Sequence, residues 1–262
     1  MAKLIDLRHA RILVSNDDGI EAEGIRVLEA IARTISDDVW VVAPATEQSG
    51  VSHSLSLHMP VRVLSLGEKR FAVTGSPTDA VLMAVSHLMK DAPPTLCLSG
   101  VNRGGNLAED VTYSGTVAAA MEATLLGVPA IAFSQTYRDP ADIKWRVAER
   151  YAPDIIRKLA KVAWPADVLY NVNFPDVEPE QVAAVIPTVQ GRRDIVGRLH
   201  ERVDPRGRPY FWIGPLGHHT KEYPETGTDI VAMREQKISV TPIGMDMTHY
   251  KTLDVLRDGG LK

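Results

Sequence analysis

Cysteine is nearly absent: Cys97 is the single one among 262 residues, so an intramolecular disulfide is excluded. Such low usage suits a reducing compartment, and the cytoplasm is the expected location. Cys97 sits in the apolar run Thr95-Leu96-Cys97-Leu98 and reads as a buried strand thiol rather than a nucleophile. An excess of basic residues is lacking too. The formal net charge of -4 argues against a general nucleic-acid binder. Small anions stay open, because oriented amides and a metal ion can hold a phosphate on an acidic protein. No segment approaches the ~18 apolar residues of a membrane-spanning helix, and the first residues are too polar for a signal sequence. Also missing are the phosphate-loop, dinucleotide-binding G-x-G-x-x-G, zinc-protease H-E-x-x-H and nucleophile-elbow G-x-S-x-G motifs.

What is present is a globular composition, 45% apolar and 24% charged, with ample material for a core. Strand and helix signals alternate through the first half. Residues 11–15 form a short apolar run ending in Asn16-Asp17-Asp18-Gly19, which reads as a buried strand entering a loop. Ile25, Leu28, Ile31 and Ile35 give residues 22–35 one apolar helical face. Residues 39–44 are a second buried strand, and residues 54–73 read as short strands and turns in a hairpin elaboration. Ser76-Pro77-Thr78-Asp79 marks a helix start, expected to run to Met89. A strand at 95–99, a helix from Thr116 closed by Gly127 and Pro129, and a strand at 130–134 follow. A helix over 143–162 and a strand over 168–174 complete the pattern.

These units predict an α/β fold: a Rossmann-like, mostly parallel sheet covered by helices on both faces. Residues 1–175 are expected to form the core. Residues 176–262, rich in Gly and Pro with short β-like runs, are expected to form a smaller strand-rich extension. His53 and His58 read as ordinary strand neighbours, and His218-His219 as surface-loop residues.

In an open parallel sheet, ligands bind beyond the carboxyl ends of the strands. Those ends carry polar loops here: Asn16-Asp17-Asp18, Glu47-Gln48-Ser49-Gly50, and Ser99-Gly100-Val101-Asn102-Arg103-Gly104-Gly105-Asn106. Adjacent carboxylates at Asp17 and Asp18 repel unless one protonates or a cation joins them, although Asp-Asp-Gly is also ordinary turn chemistry. With Ser and Asn nearby the donors are all hard oxygens, which favours Mg²⁺ or Mn²⁺ over zinc. Ser114-Gly115-Thr116 precedes an Ala-rich helix. It reads as a helix cap and, compatibly, as a phosphate seat made of free N–H groups that Gly115 leaves accessible.

Five blocks in register carry a more specific signal: Val14-Ser15-Asn16-Asp17-Asp18-Gly19-Ile20, Ala43-Pro44-Ala45-Thr46-Glu47-Gln48-Ser49-Gly50, Gly75-Ser76-Pro77-Thr78-Asp79, the 99–106 loop, and the run from Asp110 to Glu122. Together they resemble the SurE family of 5'/3'-nucleotidases. The likeness is strong over residues 11–135 and returns at Gly227-Thr228-Asp229 and Ser239-Val240-Thr241-Pro242. The resemblance implies a Rossmann-like core, a C-terminal extension used in homodimer or homotetramer assembly, and one divalent cation per subunit held by Asp17, Asp18, Ser49 and Asn102. It also implies phosphate release from nucleoside monophosphates; 5' against 3' esters, and short polyphosphate as a further substrate, are left open by the sequence.

Within that reading, Asn106 and the Ser114, Gly115 and Thr116 segment hold the phosphate, and Asp17 or Asp18 is the candidate general base. A phospho-aspartyl intermediate is the rival to direct attack by water. Two readings from other classes compete. A nucleotide sensor would keep the phosphate seat without needing the carboxylates, and a serine esterase using Ser15 or Ser49 would ignore chelation.

Overall fold

The computed structural model describes residues 4–193, 197–216 and 226–260. The strand β1 (Arg11–Ser15) is buried on both sides, as its unbroken apolar run requires, and leads into α1 (Glu23–Arg33). The chain returns through β2 (Asp38–Pro44), then forms the hairpin β3 (Val63–Gly67) and β4 (Arg70–Val73). Next come α2 (Pro77–Met83), β5 (Leu96–Arg103), α3 (Gly115–Leu125), β6 (Ala130–Gln135), α4 (Trp145–Leu159) and β7 (Val168–Phe174). Beyond them lie β8 (Val185–Pro187), β9 (Gly197–Val203), β10 (Pro209–Leu216), α5 (Asp229–Arg234), β11 (Ile238–Gly244) and α6 (Tyr250–Val255).

Nine strands form one sheet in the order β3-β4-β2-β1-β5-β6-β7-β11-β8. The six central strands from β4 to β7 are mutually parallel, while β3 and β11 run against their neighbours β4 and β7. The sheet is therefore mixed but mostly parallel, in line with the expected fold class. The order grows outward from β1 in one direction and then resumes at β5 on its other side. Such a reversal opens a crevice at the strand ends. It lies between β1 and β5, where Ser15 pairs with Ser99.

Helices α1 and α4 cover one face of the sheet around Ile25, Leu28, Ile31, Val147 and Ile156, with Phe133 and Phe174 stacked at 5.9 Å. Helices α2 and α3 cover the other around Val81, Val117 and Ala120. The capping box expected at Ser76 and Asp79 is present: Ser76 Oγ accepts from Asp79 N–H at 3.0 Å and Asp79 Oδ2 accepts from Ser76 N–H at 2.8 Å. Helix α3 is buried all round, and its run of alanines lets neighbouring elements approach closely.

Two expectations need correction, at the hairpin and at the histidines before it. The hairpin begins only at Val63, and its strand β4 pairs in parallel with β2, so it extends the main sheet. His53 and His58 therefore lie in irregular backbone rather than in strands, and His53 Nε2 is instead 2.9 Å from Glu122 Oε2. The helix after Ser76 is α-helical to Met83 and finishes in a wider turn over Ala84–Leu88. Among the described residues of the 176–262 segment, β8 and β11 belong to the main sheet and β9 and β10 pair with each other. His218 and His219 lie outside the described residues.

One close approach fixes how α1 sits over the crevice. A Cβ on Gly24 would fall 2.0 Å from the Val101 carbonyl oxygen. Gly24→Ala is expected to push α1 away from β5 at a cost of about 1–3 kcal/mol, read as a lower urea midpoint; an unchanged midpoint would contradict this packing.

Candidate metal and phosphate site

Parallel pairing of β1 with β5 delivers two polar loops to the same place. Asn16 is buried and its Nδ2 donates to the Gly19 carbonyl at 2.9 Å, closing the turn that Gly19, at φ +98°, permits. The Asp17 carbonyl accepts from Gln48 N–H at 2.8 Å, which ties the loop after β2 to the loop after β1.

The Asp17 side chain is buried, and its Oδ1 accepts a 2.5 Å hydrogen bond from Thr116 Oγ1 in the first turn of α3. That contact requires Gly115, where a Cβ would stand 2.7 Å from Asp17 Cβ. Burial and then the neighbouring Asp18 charge push the Asp17 carboxyl up to about 7, against the opposing pull of the Thr116 hydroxyl. Asp18 is also raised by burial, with Glu47 adding to it and the Arg103 N–H, 3.1 Å from Oδ2, working the other way. Two adjacent carboxylates are thus held where their charged forms are disfavoured. A divalent cation would relieve both desolvation and repulsion.

The other candidate donors are neutral oxygens. Ser49 Oγ donates its proton to Glu47 Oε1 at 3.0 Å and keeps its lone pairs. Asn102 commits its amide nitrogen to the Gly104 carbonyl at 2.8 Å, which leaves the amide oxygen to offer. Among the described residues, no group of three or more His, Cys, Asp or Glu is arranged to hold a metal. Two carboxylates with hydroxyl and amide oxygens is a donor set suited to a hard cation such as Mg²⁺ or Mn²⁺.

Asp17, Ser49, Asn102, Asn106 and Ser114 line one cavity of about 620 Å³. Asp18 lines an adjoining cavity of about 450 Å³ with Glu23, Glu47 and, again, Ser49. Gly115 and Thr116 are buried behind Asp17, so the Thr116 hydroxyl serves that carboxylate. Ser114 Oγ accepts from Val117 N–H at 3.0 Å as a cap, Ser114 N–H donates to the Asp110 carbonyl at 2.9 Å, and Thr116 N–H serves Asp17. That leaves the Gly115 N–H of the first turn for an anion.

Asn106 is held by a layer of residues that sequence reading missed. Its N–H donates to Asn173 Oδ1 at 2.8 Å and its Nδ2 to Ser134 Oγ at 2.8 Å. Its carbonyl accepts from Asn171 at 2.8 Å and Asn173 at 3.1 Å. The available signal was two asparagines spaced by two in an otherwise apolar strand, which places both on one face of β7. Asp229, also missed, is fully buried and accepts from the N–H groups of Ala108 and Gly191, both at 2.9 Å. The Gly227-Thr228-Asp229 block thereby anchors the loop that carries Asn106, helped by the Arg193–Asp110 ion pair.

Comparison with known proteins follows the same residues. The family model described as "Survival protein SurE" matches residues 12–196. A "5'-nucleotidase SurE" of Parvibaculum lavamentivorans is 53% identical over 251 residues, spanning 95% of this chain and 90% of that protein. A protein of the same description from Paramagnetospirillum magneticum is 54% identical, with 94% of each chain covered. The crystal structure of a SurE protein from Aquifex aeolicus superposes with a TM-score of 0.81 at 36% identity, covering 94% of this chain and 98% of that one. By sequence, by fold and by the loops around its crevice, the chain belongs to the SurE family.

Proposed function

We propose that the chain is a divalent-cation-dependent 5'-nucleotidase that releases phosphate from nucleoside monophosphates, with 3'-nucleotides and short polyphosphate as further substrates. The observation that carries this reading is a pair of adjacent carboxylates, Asp17 buried directly against a helix N-terminus and Asp18 half-buried beside it. Asp17 and Asp18 call for a cation, and the first turn of α3 beside them calls for an anion. A phosphate bridging the two satisfies both. The relatives' activity, "5'-nucleotidase", supports the same conclusion.

Uncatalysed phosphate-monoester hydrolysis is among the slowest reactions known, so charge neutralisation must supply much of the acceleration. Asp17, Asp18, Ser49 and Asn102 would hold the Mg²⁺ or Mn²⁺. Such an ion supplies Lewis acidity to a phosphate oxygen and acidifies water. Asn106, kept rigid by Ser134, Asn171 and Asn173, offers its side chain to the phosphate, and the Ser114, Gly115 and Thr116 segment offers the positive end of α3 with the Gly115 N–H. Water attacks phosphorus opposite the ester oxygen. A carboxylate oxygen of the aspartate pair takes one proton of that water and returns it to the departing ester oxygen, so the nucleoside leaves as its alcohol.

The setting follows from the same observations. No helix among the described residues is long and apolar enough to cross a membrane, and the low cysteine usage supports a reducing cytoplasm as the proposed location. The β9–β10 ribbon exposes Leu199, Phe211, Trp212 and Ile213, an apolar surface that favours assembly into a homodimer or homotetramer.

Phosphate release from a panel of 5'- and 3'-nucleoside monophosphates, after chelation and after adding Mn²⁺ or Mg²⁺, tests the reading. Wild type should regain activity with metal, while Asp17→Asn should lose on the order of 10²–10³-fold. Activity indifferent to chelation would discard the metal mechanism, and nucleotide binding without release would favour a sensor. A nucleoside phosphorothioate made chiral at phosphorus with oxygen isotopes, hydrolysed in water of the remaining isotope, should give inverted thiophosphate; retention would instead establish the phospho-aspartyl route.

A further inference from the structure

The two cavities described above are separated by a wall whose shared members are Ser49, Arg103 and Tyr137. Ser49 is a candidate metal donor; Arg103 and Tyr137 have no part in the chemistry so far. The Arg103 guanidinium carbon lies 5.7 Å from the centroid of the Tyr137 ring, a cation–π contact. Both residues are adjacent to site elements. Arg103 directly follows Asn102, and an edge of the Tyr137 ring reaches the glycine turn between Asn102 and Asn106, where a Cβ on Gly104 would be 3.8 Å from Tyr137 Cε1.

Tyr137 is also held from both sides along the chain. Thr136 gives its N–H and its hydroxyl to the Phe174 carbonyl, at 3.0 and 2.8 Å. Arg138 N–H donates to Asp176 Oδ2 at 3.0 Å. A Cβ on Gly105 would meet Thr136 Cγ2 at 2.7 Å, so the loop with Asn106 and the loop with Tyr137 pack without slack. The ring itself is only half buried. A tyrosine fixed by its neighbours, partly open, and stacked with a guanidinium has the properties of a platform for a flat aromatic ligand.

We propose that the Arg103–Tyr137 pair is the surface on which the substrate's nucleobase stacks, making Tyr137 a specificity-determining residue that favours nucleoside phosphates over sugar phosphates with the same anionic end. This rests on the nucleotidase reading and deepens it. The phosphate is held on the Asp17 and Asn106 side of the first cavity, while the base lies against the wall that both cavities share. Stacking tolerates every base, because each has a π-face, so the platform selects for a base without selecting which one.

The test compares adenosine 5'-monophosphate with ribose 5-phosphate, which keeps the ester and the ring but lacks the base, on the Mn²⁺-loaded protein. Tyr137→Ala should lower kcat/KM for the nucleotide about tenfold, mostly through KM, and change ribose 5-phosphate by less than about twofold. Tyr137→Leu, which keeps bulk without a π-face, should show the same split, and Tyr137→Phe should restore the nucleotide preference. Equal losses on both substrates, or no loss on either, would overturn the platform. Calorimetric binding of the two ligands reads the same ratio without turnover. A wild-type protein that hydrolyses neither would therefore defeat the nucleotidase reading while the binding ratio still decides the stacking claim.

Discussion

Contact between the Asp17 carboxylate and the first turn of α3 is the constraint around which the crevice is built. The carboxylate is buried at the end of β1, accepts from Thr116 Oγ1, and leaves no room for a side chain at position 115. An ionised group in that setting is costly unless paired. The helix N-terminus offers partial compensation through its dipole, and the Asp18 charge next door removes some of it. What is left over is a standing demand for a cation, beside a helix N-terminus that demands an anion. A metal–phosphate pair answers both, and neither demand would exist if α3 were displaced by one side chain.

The rest of the molecule holds that arrangement in place. Loops after β1, β2 and β5 are stitched to one another through the Asp17 carbonyl and the Asp18 carboxylate. Asn106 is fixed by one residue on β6 and two on β7. The 176–262 segment takes part as well: Asp229 and Arg193 clamp residues 108–110 across long sequence separations. Candidate ligands are therefore backed by a second layer of hydrogen-bonded residues, which is how a site is kept within the narrow tolerances of phosphoryl chemistry.

Much of this was legible in the sequence, for identifiable reasons. Strands buried on both faces leave unbroken apolar runs, so β1, β2, β6 and β7 stand where those runs do, and β7 spans residues 168–174 as expected. Capping is local, so the starts of α2 and α3 could be read from Ser76 and Ser114. The polar loops at the strand ends follow from topology, and the structure brings Asp17, Ser49, Asn102, Asn106 and Ser114 onto one cavity. Long-range pairings left no local trace. Nothing near Ser239 announces that β11 runs antiparallel to β7, and nothing near Asp229 announces a bond to Ala108. Asn171 and Asn173 were visible but sat inside an apolar strand, where their role depends on what lies across the sheet. His53 followed an alternating pattern that its partner Glu122 on α3 overrode.

Unfolding of the cation-free protein tests the demand at Asp17 most directly. Its carboxyl is raised from 3.8 to about 7 in the fold. Folding therefore favours the protonated form, and stability present below 3.8 is lost as pH rises through about 7. By linkage, that rise corresponds to about 4 kcal/mol. Without cation at pH 8.5, Asp17→Asn should be more stable than wild type by a few kcal/mol, an advantage that shrinks as the pH falls towards 4. Saturating Mn²⁺ should raise the midpoint of wild type and not that of the variant. A cation-free variant no more stable than wild type at pH 8.5, with Mn²⁺ stabilising both equally, would contradict the account.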